Sequence, residues 1–131
     1  MKAKNKKSDL LTPTELELMR ILWHLEAATV HQVLEALPPE RPLAYTSVST
    51  MLRVLEQKGF VSAEKQGRGH RYRPKLDRRT YEGRSVRHLL DEVFEDAPLT
   101  LVSRLLETRQ LSHDELDALK KLVDEGGTDA N

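Results

Sequence analysis

Apolar positions recur along this chain in blocks of helical spacing, separated by short punctuated gaps. Thr12-Pro13-Thr14-Glu15 reads as a helix start. Thr12 can cap, Pro13 suits the first helical position and Glu15 completes a capping box. Leu16, Met19, Leu22 and Trp23 follow at helical spacing, and this predicts a helix ending near Glu26. Ala27-Ala28 fits a very short strand. Thr29 with Gln32 caps a second helix, whose buried side is Val30, Val33, Leu34 and Leu37, and Pro38-Pro39 stops it. A third helix is expected over 45–58, with the stripe Val48, Met51, Leu52 and Leu55, and Gly59 where a left-handed residue is wanted. Phe60 to Lys65 then reads as a strand, Gly67-Arg68-Gly69 turns, and His70 to Arg73 returns. The order is helix, strand, helix, helix, strand, strand.

From Asp77 the pattern changes. Asp77 can cap a long helix reaching about Asp96, with Tyr81, Val86, Leu89, Leu90, Val93 and Phe94 on its apolar side. Pro98 opens another helix carrying Leu99, Leu101, Val102, Leu105 and Leu106. Ser112-His113-Asp114-Glu115 is a further capping box, starting a last helix with Leu116, Leu119, Leu122 and Val123, ended by Gly126-Gly127. Three amphipathic helices in so short a stretch cannot bury their apolar faces alone, and a second copy of the chain is the natural cover. The expected architecture is mainly α with a small β-wing. It has a disordered basic arm (1–9), a winged helix-turn-helix (10–75), a three-helix dimerisation region (76–126) and a disordered tail (127–131).

Charge sharpens this picture. The 131 residues balance 21 Lys+Arg against 21 Asp+Glu, but unevenly: residues 1–75 carry 13 against 8, a net +5, and the remainder is −5. Residues 41–75 alone carry 8 against 2. Such a confined excess is the footprint of a nucleic-acid-binding face. The third helix presents Tyr45, Thr46, Ser47, Ser49 and Thr50, with Arg53 one turn later. Hydroxyls and methyls of this kind reach phosphates and base edges in a major groove. A purely structural surface would favour Glu, Lys and Gln, which are better helix formers. The hairpin adds Lys65, Arg68, His70, Arg71 and Arg73, with Arg68 at its tip, placed for a phosphate or a minor groove. The competing readings are a Ser/Thr-rich surface helix and an edge hairpin protected by charge. Lys2, Lys4, Lys6 and Lys7 read as a solvated tail.

Other chemistries find little footing. There is no cysteine, which removes disulfides, thiolate metal sites and Cys nucleophiles. The five histidines lack metal-site spacing, so neither metal nor cofactor is expected. Ser85, His88 and Asp91 share one helix face and cannot converge on a reacting atom as a triad does. No apolar run approaches the ~20 residues that span a bilayer. The basic start lacks a following hydrophobic segment, so a cytoplasmic, non-enzymatic protein is expected.

With these residues in view, the chain resembles the penicillinase-repressor family, the winged-helix regulators of β-lactamase and methicillin-resistance operons. The resemblance is carried by L-T-P-T-E-L-E-L-M-R-I-L-W at 11–23, A-Y-T-S-V-S-T-M-L-R-V-L-E-Q-K-G-F-V at 44–61 and G-R-G-H-R-Y-R-P at 67–74. It implies a homodimeric repressor on a palindromic operator. Thr46, Ser47, Ser49, Thr50 and Arg53 fall on the family's recognition helix, Arg68 and its neighbours on its wing. The implied dimer interface comprises Leu89, Leu90, Val93, Phe94, Leu101, Val102, Leu105, Leu106, Leu116 and Leu119. Two departures stand out. Members cut by a regulatory membrane-bound protease carry an Asn-Phe bond where this chain has Arg104-Leu105, which argues against that partner. Copper-responsive members carry cysteine pairs that this chain lacks. The rival reading is a winged helix that binds proteins without reading DNA.

Overall fold

The computed structural model describes residues 10–127. Six helices and three strands follow in the expected order. Helix α1 is Pro13–Leu25, strand β1 Ala28–Thr29, α2 Val30–Ala36, α3 Tyr45–Gln57, β2 Val61–Gln66 and β3 Gly69–Pro74. Helices α4 (Arg78–Glu92), α5 (Pro98–Glu107) and α6 (His113–Leu122) complete the chain, with one wider turn at Val123–Gly127. Cα packing divides it into two compact units, with the boundary between His88 and Leu89.

Local chemistry explains the boundaries. Thr12/Glu15, Thr29/Gln32 and Ser112/Glu115 each form complete capping boxes, satisfying backbone N–H groups that a helix start leaves without partners. Leu37 is extended (φ −69°, ψ 144°), as the residue before a proline must be, so α2 stops there. Gly59 adopts φ 88° and Phe60 N–H donates to the Leu55 carbonyl, which closes α3 and turns the chain into the sheet.

The N-terminal unit is a winged helix. Its sheet has the order β1-β3-β2, both pairs antiparallel. Leu18, Met19, Leu22, Val33, Val48, Leu52 and Leu55 are wholly enclosed, with Val61, Phe60 and Tyr72 from the sheet side. The core reaches past residue 75, where the sequence places the domain end. Trp23 Nε1 donates to the Leu76 carbonyl at 2.9 Å, the Tyr81 ring packs tilted at 6.0 Å from Trp23 and edge-on at 6.2 Å from Phe60, and its hydroxyl accepts from Leu11 N–H.

Several expectations shift. The core face of α1 is Glu15, Leu18, Met19 and Leu22, with Leu16 and Trp23 only half-buried beside it. Leu34 and Met51 are likewise at the core's edge. The short strand and β2 each start one residue later than expected. Helix α4 stops at Glu92, not near Asp96. Glu95 and Asp96 take positive φ (50° and 61°), and Pro98 holds Ala97 out of the helical region. Gly127 belongs to the final turn, and the expected basic arm and the rest of the tail lie outside the described residues.

In the C-terminal unit, α5 and α6 contain no buried residue. Leu99 is 80% exposed and Leu122 66%. Leu89, Val93, Val102, Leu105 and Leu106 are also exposed, while Leu90, Phe94, Leu101, Leu116 and Leu119 are half-buried.

Candidate nucleic-acid interface

Helix α3 is amphipathic in the simplest sense. Val48, Leu52 and Leu55 are pinned in the core, so the opposite face has to be presented to solvent. That face carries Tyr45, Thr46, Ser47, Thr50 and Arg53, all exposed, with Ser49 half-buried at its margin. Tyr45 is held by an aromatic neighbour: its ring lies 4.9 Å from that of His31, the second residue of α2.

The hairpin turn decides what stands beside this face. Gln66 pairs with Gly69, so the loop has two residues, Gly67-Arg68, not the expected three. Gly67 has φ 59° and Arg68 is not in the positive-φ region, the pattern of a type II′ hairpin. A one-residue change of register moves every side chain to the other face. With a three-residue turn, Lys65 would pair with Arg71 and Ala63 with Arg73, placing both arginines beside α3. In the observed register Lys65 pairs with His70 and Ala63 with Tyr72, and these are the side chains toward α3. Arg71 and Arg73 lie on the far face, across from Glu64 and Ser62. Arg73 approaches Glu64 at 3.6 Å, and Arg71 lines a hollow with Leu25, Ala27, Gln32, Glu35 and Ala36. Arg68 is exposed at the tip.

Two recesses separate α3 from the wing. One, of about 420 Å³, is lined by Ser49, Arg53, Glu56, Ala63, His70 and Tyr72. Burial pushes the Tyr72 hydroxyl's pKa up, and the Glu56 carboxylate adds to this, so it stays a neutral donor. The other, of about 310 Å³, lies toward the tip, between α2, the start of α3 and the turn.

Residues 11–125 match the family described as penicillinase repressor. The chain belongs to the penicillinase repressor family. Among similar proteins, the penicillinase repressor of Bacillus licheniformis is 27% identical over 120 residues, 92% of this chain and 94% of that one. The transcriptional regulator BlaI of Mycobacterium tuberculosis (strain CDC 1551 / Oshkosh) is 46% identical over 61 residues, 46% of this chain and 44% of that protein. The solution structure of the DNA binding domain of the repressor BlaI is 28% identical, covers 54% of this chain and 87% of that one, and has a TM-score of 0.49.

In this penicillinase repressor family member, the site thus gathers Tyr45, Thr46, Ser47, Ser49, Thr50, Arg53, Lys65 and Arg68, and leaves Arg71 and Arg73 on the other side of the sheet. His31 and His70 join the group. Sequence reasoning passed over His31, since nothing in α2 alone marks it. His70, already named in the hairpin, pairs with Lys65 because the turn has two residues. The triad candidate does not assemble: Ser85 Oγ donates to the Tyr81 carbonyl at 3.0 Å, and His88 Nδ1 has no hydrogen-bond partner. Among the described residues no cluster of His, Asp and Glu could hold a metal, and no helix is long and apolar enough to cross a membrane.

Proposed function

We propose that this family member is a homodimeric, sequence-specific transcriptional repressor acting in the cytoplasm on a palindromic operator. The observation that carries the reading is the exposed polar face of α3, rich in hydroxyls and closed by Arg53, standing beside a cationic wing tip. Similar proteins bear the names penicillinase repressor and methicillin resistance regulatory protein. Core contacts hold α3 rigidly, so its outward side chains enter a major groove as one unit. Thr46, Ser47, Ser49 and Thr50 meet base edges and phosphates; Arg53, Lys65 and Arg68 neutralise the backbone. Arg71 and Arg73 add to the general field from the far face of the wing.

A second copy covers the Leu-rich faces of α5 and α6, with the end of α4, through Leu89, Leu90, Val93, Phe94, Leu101, Val102, Leu105, Leu106, Leu116 and Leu119. Linking two reading heads makes the second half-site contact intramolecular, so affinity depends on the seam as well as on α3. Separating the copies lifts repression with no change at α3. No metal or cofactor enters this scheme.

Sequencing the genomic DNA fragments retained by purified full-length protein tests it. Fragments sharing an inverted repeat, released from the protein by salt, are expected. Retention of no DNA at low salt, with partner proteins bound instead, would replace it by the interaction-module reading.

A further inference from the structure

The recess of about 310 Å³ near the wing tip is lined by Thr29, Val30, His31, Tyr45, Gln66, Arg68, Gly69 and His70. Five elements (β1, α2, α3, β2 and β3) and the hairpin turn contribute to it, and its lining has one guanidinium, two imidazoles and no carboxylate. It is a concave surface rich in donors and aromatic faces, with Val30 its one aliphatic side chain and Arg68 its fixed cation. A tilted ring contact with Tyr45, 4.9 Å between centroids, fixes the His31 ring relative to the start of α3. Cross-strand pairing with Lys65 fixes His70 on the side of the wing that faces the same helix. Both histidines are exposed, so neither is there to fill the core.

The geometry points to this recess as the seat of one phosphodiester of the DNA backbone, gripped by His31 and His70 with Arg68, which makes DNA affinity depend on imidazole protonation. The inference rests on the DNA-binding reading above. A phosphate oxyanion requires donors and positive charge, and free inorganic phosphate shares that chemistry. The backbone is favoured because the recess opens between the two elements, α3 and the wing tip, that straddle the duplex in that reading.

The charges facing each ring set the sign. Around His31 are Tyr45 from α3, Arg68 from the turn, His70 from β3 and the neutral Gln66 from β2. Around His70 are Arg68, Lys65 across the ladder, Tyr72 beside it at 6.2 Å, and Arg53 and Glu56 from α3. Glu56 is the single carboxylate lining either recess, and Glu35, one turn after His31 on α2, lines the separate hollow beside Arg71. The free site therefore carries the fixed positive charge of Arg68, and an arriving phosphate supplies the negative charge that a protonated imidazole pairs with. Histidine is the side chain whose charge changes between about pH 5 and 8. Binding is then linked to proton uptake: it is strongest below the imidazole range and weakens as pH rises through it.

The test measures affinity of the full-length protein for a retained genomic fragment at constant ionic strength. Wild type should lose roughly tenfold in affinity between about pH 6 and pH 8. His31→Ala/His70→Ala should bind weakly with a flattened pH dependence. His31→Lys/His70→Lys should restore affinity and keep it independent of pH, which a merely structural role for the rings would not do. Arg73→Ala, on the opposite face of the sheet, should keep the wild-type slope. Placing a neutral methylphosphonate at successive backbone positions should find one per half-site that weakens wild type but not the double-alanine variant. A pH slope that survives His31→Ala/His70→Ala would overturn this inference alone. So would imidazole NMR shifts with inorganic phosphate in a protein whose DNA affinity ignores both histidines. Absence of DNA binding at every pH would overturn the functional reading together with it.

Discussion

Glu15 and Lys58 tie the start of α1 to the end of α3. Removing either side chain should cost the fold unequal and separable amounts. The Glu15 carboxylate accepts from Thr12 N–H at 2.9 Å and from Lys58 Nζ at 3.1 and 3.0 Å, and its side chain is only 9% exposed. Lys58 is 29% exposed and can turn to water when its partner is gone. Lys58→Ala therefore strands a nearly buried charge with one remaining donor, at a cost of about 2 kcal/mol. Glu15→Ala loses that pair and half of a capping box, worth about 1 kcal/mol more. Glu15→Gln keeps the cap acceptor and should fall below both. In the double variant the loss should match that of Glu15→Ala alone, which gives a coupling of about 2 kcal/mol. The control is Arg41→Ala. Arg41 meets Glu17 at a shorter 2.8 Å, but the side chains are 42% and 27% exposed, and such surface pairs are worth under about 1 kcal/mol. Urea unfolding followed by fluorescence of Trp23, the single tryptophan, reads all of these. Equal losses for Lys58→Ala and Arg41→Ala would refute the argument that exposure, not distance, sets the value of these bridges.

Leu105→Asp should give a particle that sediments as a monomer at micromolar concentration, keeps the winged-helix melting transition and loses tight operator binding; a wild-type dimer would place Leu105 outside the seam. Arg68→Ala should lower the slope of log affinity against log salt by about one unit per protomer, while Arg73→Ala leaves it nearly unchanged. Thr46→Ala or Ser49→Ala should change which fragments are enriched more than it changes the salt slope. Hydrogen bonds from Thr80 hold the Asp77 carboxyl below its ordinary range, so the cap on α4 stabilises above the usual carboxylate pKa and fails as pH falls through the lowered one. Asp77→Asn should flatten that acid limb in a pH series of thermal melts.

Helix starts were legible almost to the residue, because a capping box is a local code: Thr12/Glu15, Thr29/Gln32 and Ser112/Glu115 need only each other. The stripe of α3 was legible because its period matches burial at Val48, Leu52 and Leu55. What could not be read depends on distant partners. Glu15 looked like a cap and nothing more, since Lys58 is 43 residues away in the chain. Tyr81 looked like part of the C-terminal helices until Trp23 and Phe60 were seen against it. Which face each wing residue takes was not legible, for a subtler reason. Gly67-Arg68-Gly69 permits a turn of two or three residues, and that single ambiguity decides whether arginines or histidine and tyrosine look toward α3.

The wing is doubly paired only midway along β3 and singly paired at its tip: β1 reaches only Tyr72 and Arg71 of β3, whereas β2 runs the full length. Length changes beyond Arg71 therefore leave the core untouched and obey a parity rule. Lengthening each arm by one residue between the base and the tip would carry Lys65 and His70 to the outer face and bring their neighbours inward; lengthening each arm by two would restore them. Relatives that differ in wing length should fall into odd and even classes that present opposite sets of side chains toward α3, so that an insertion shifts DNA preference without altering any residue of the recognition helix.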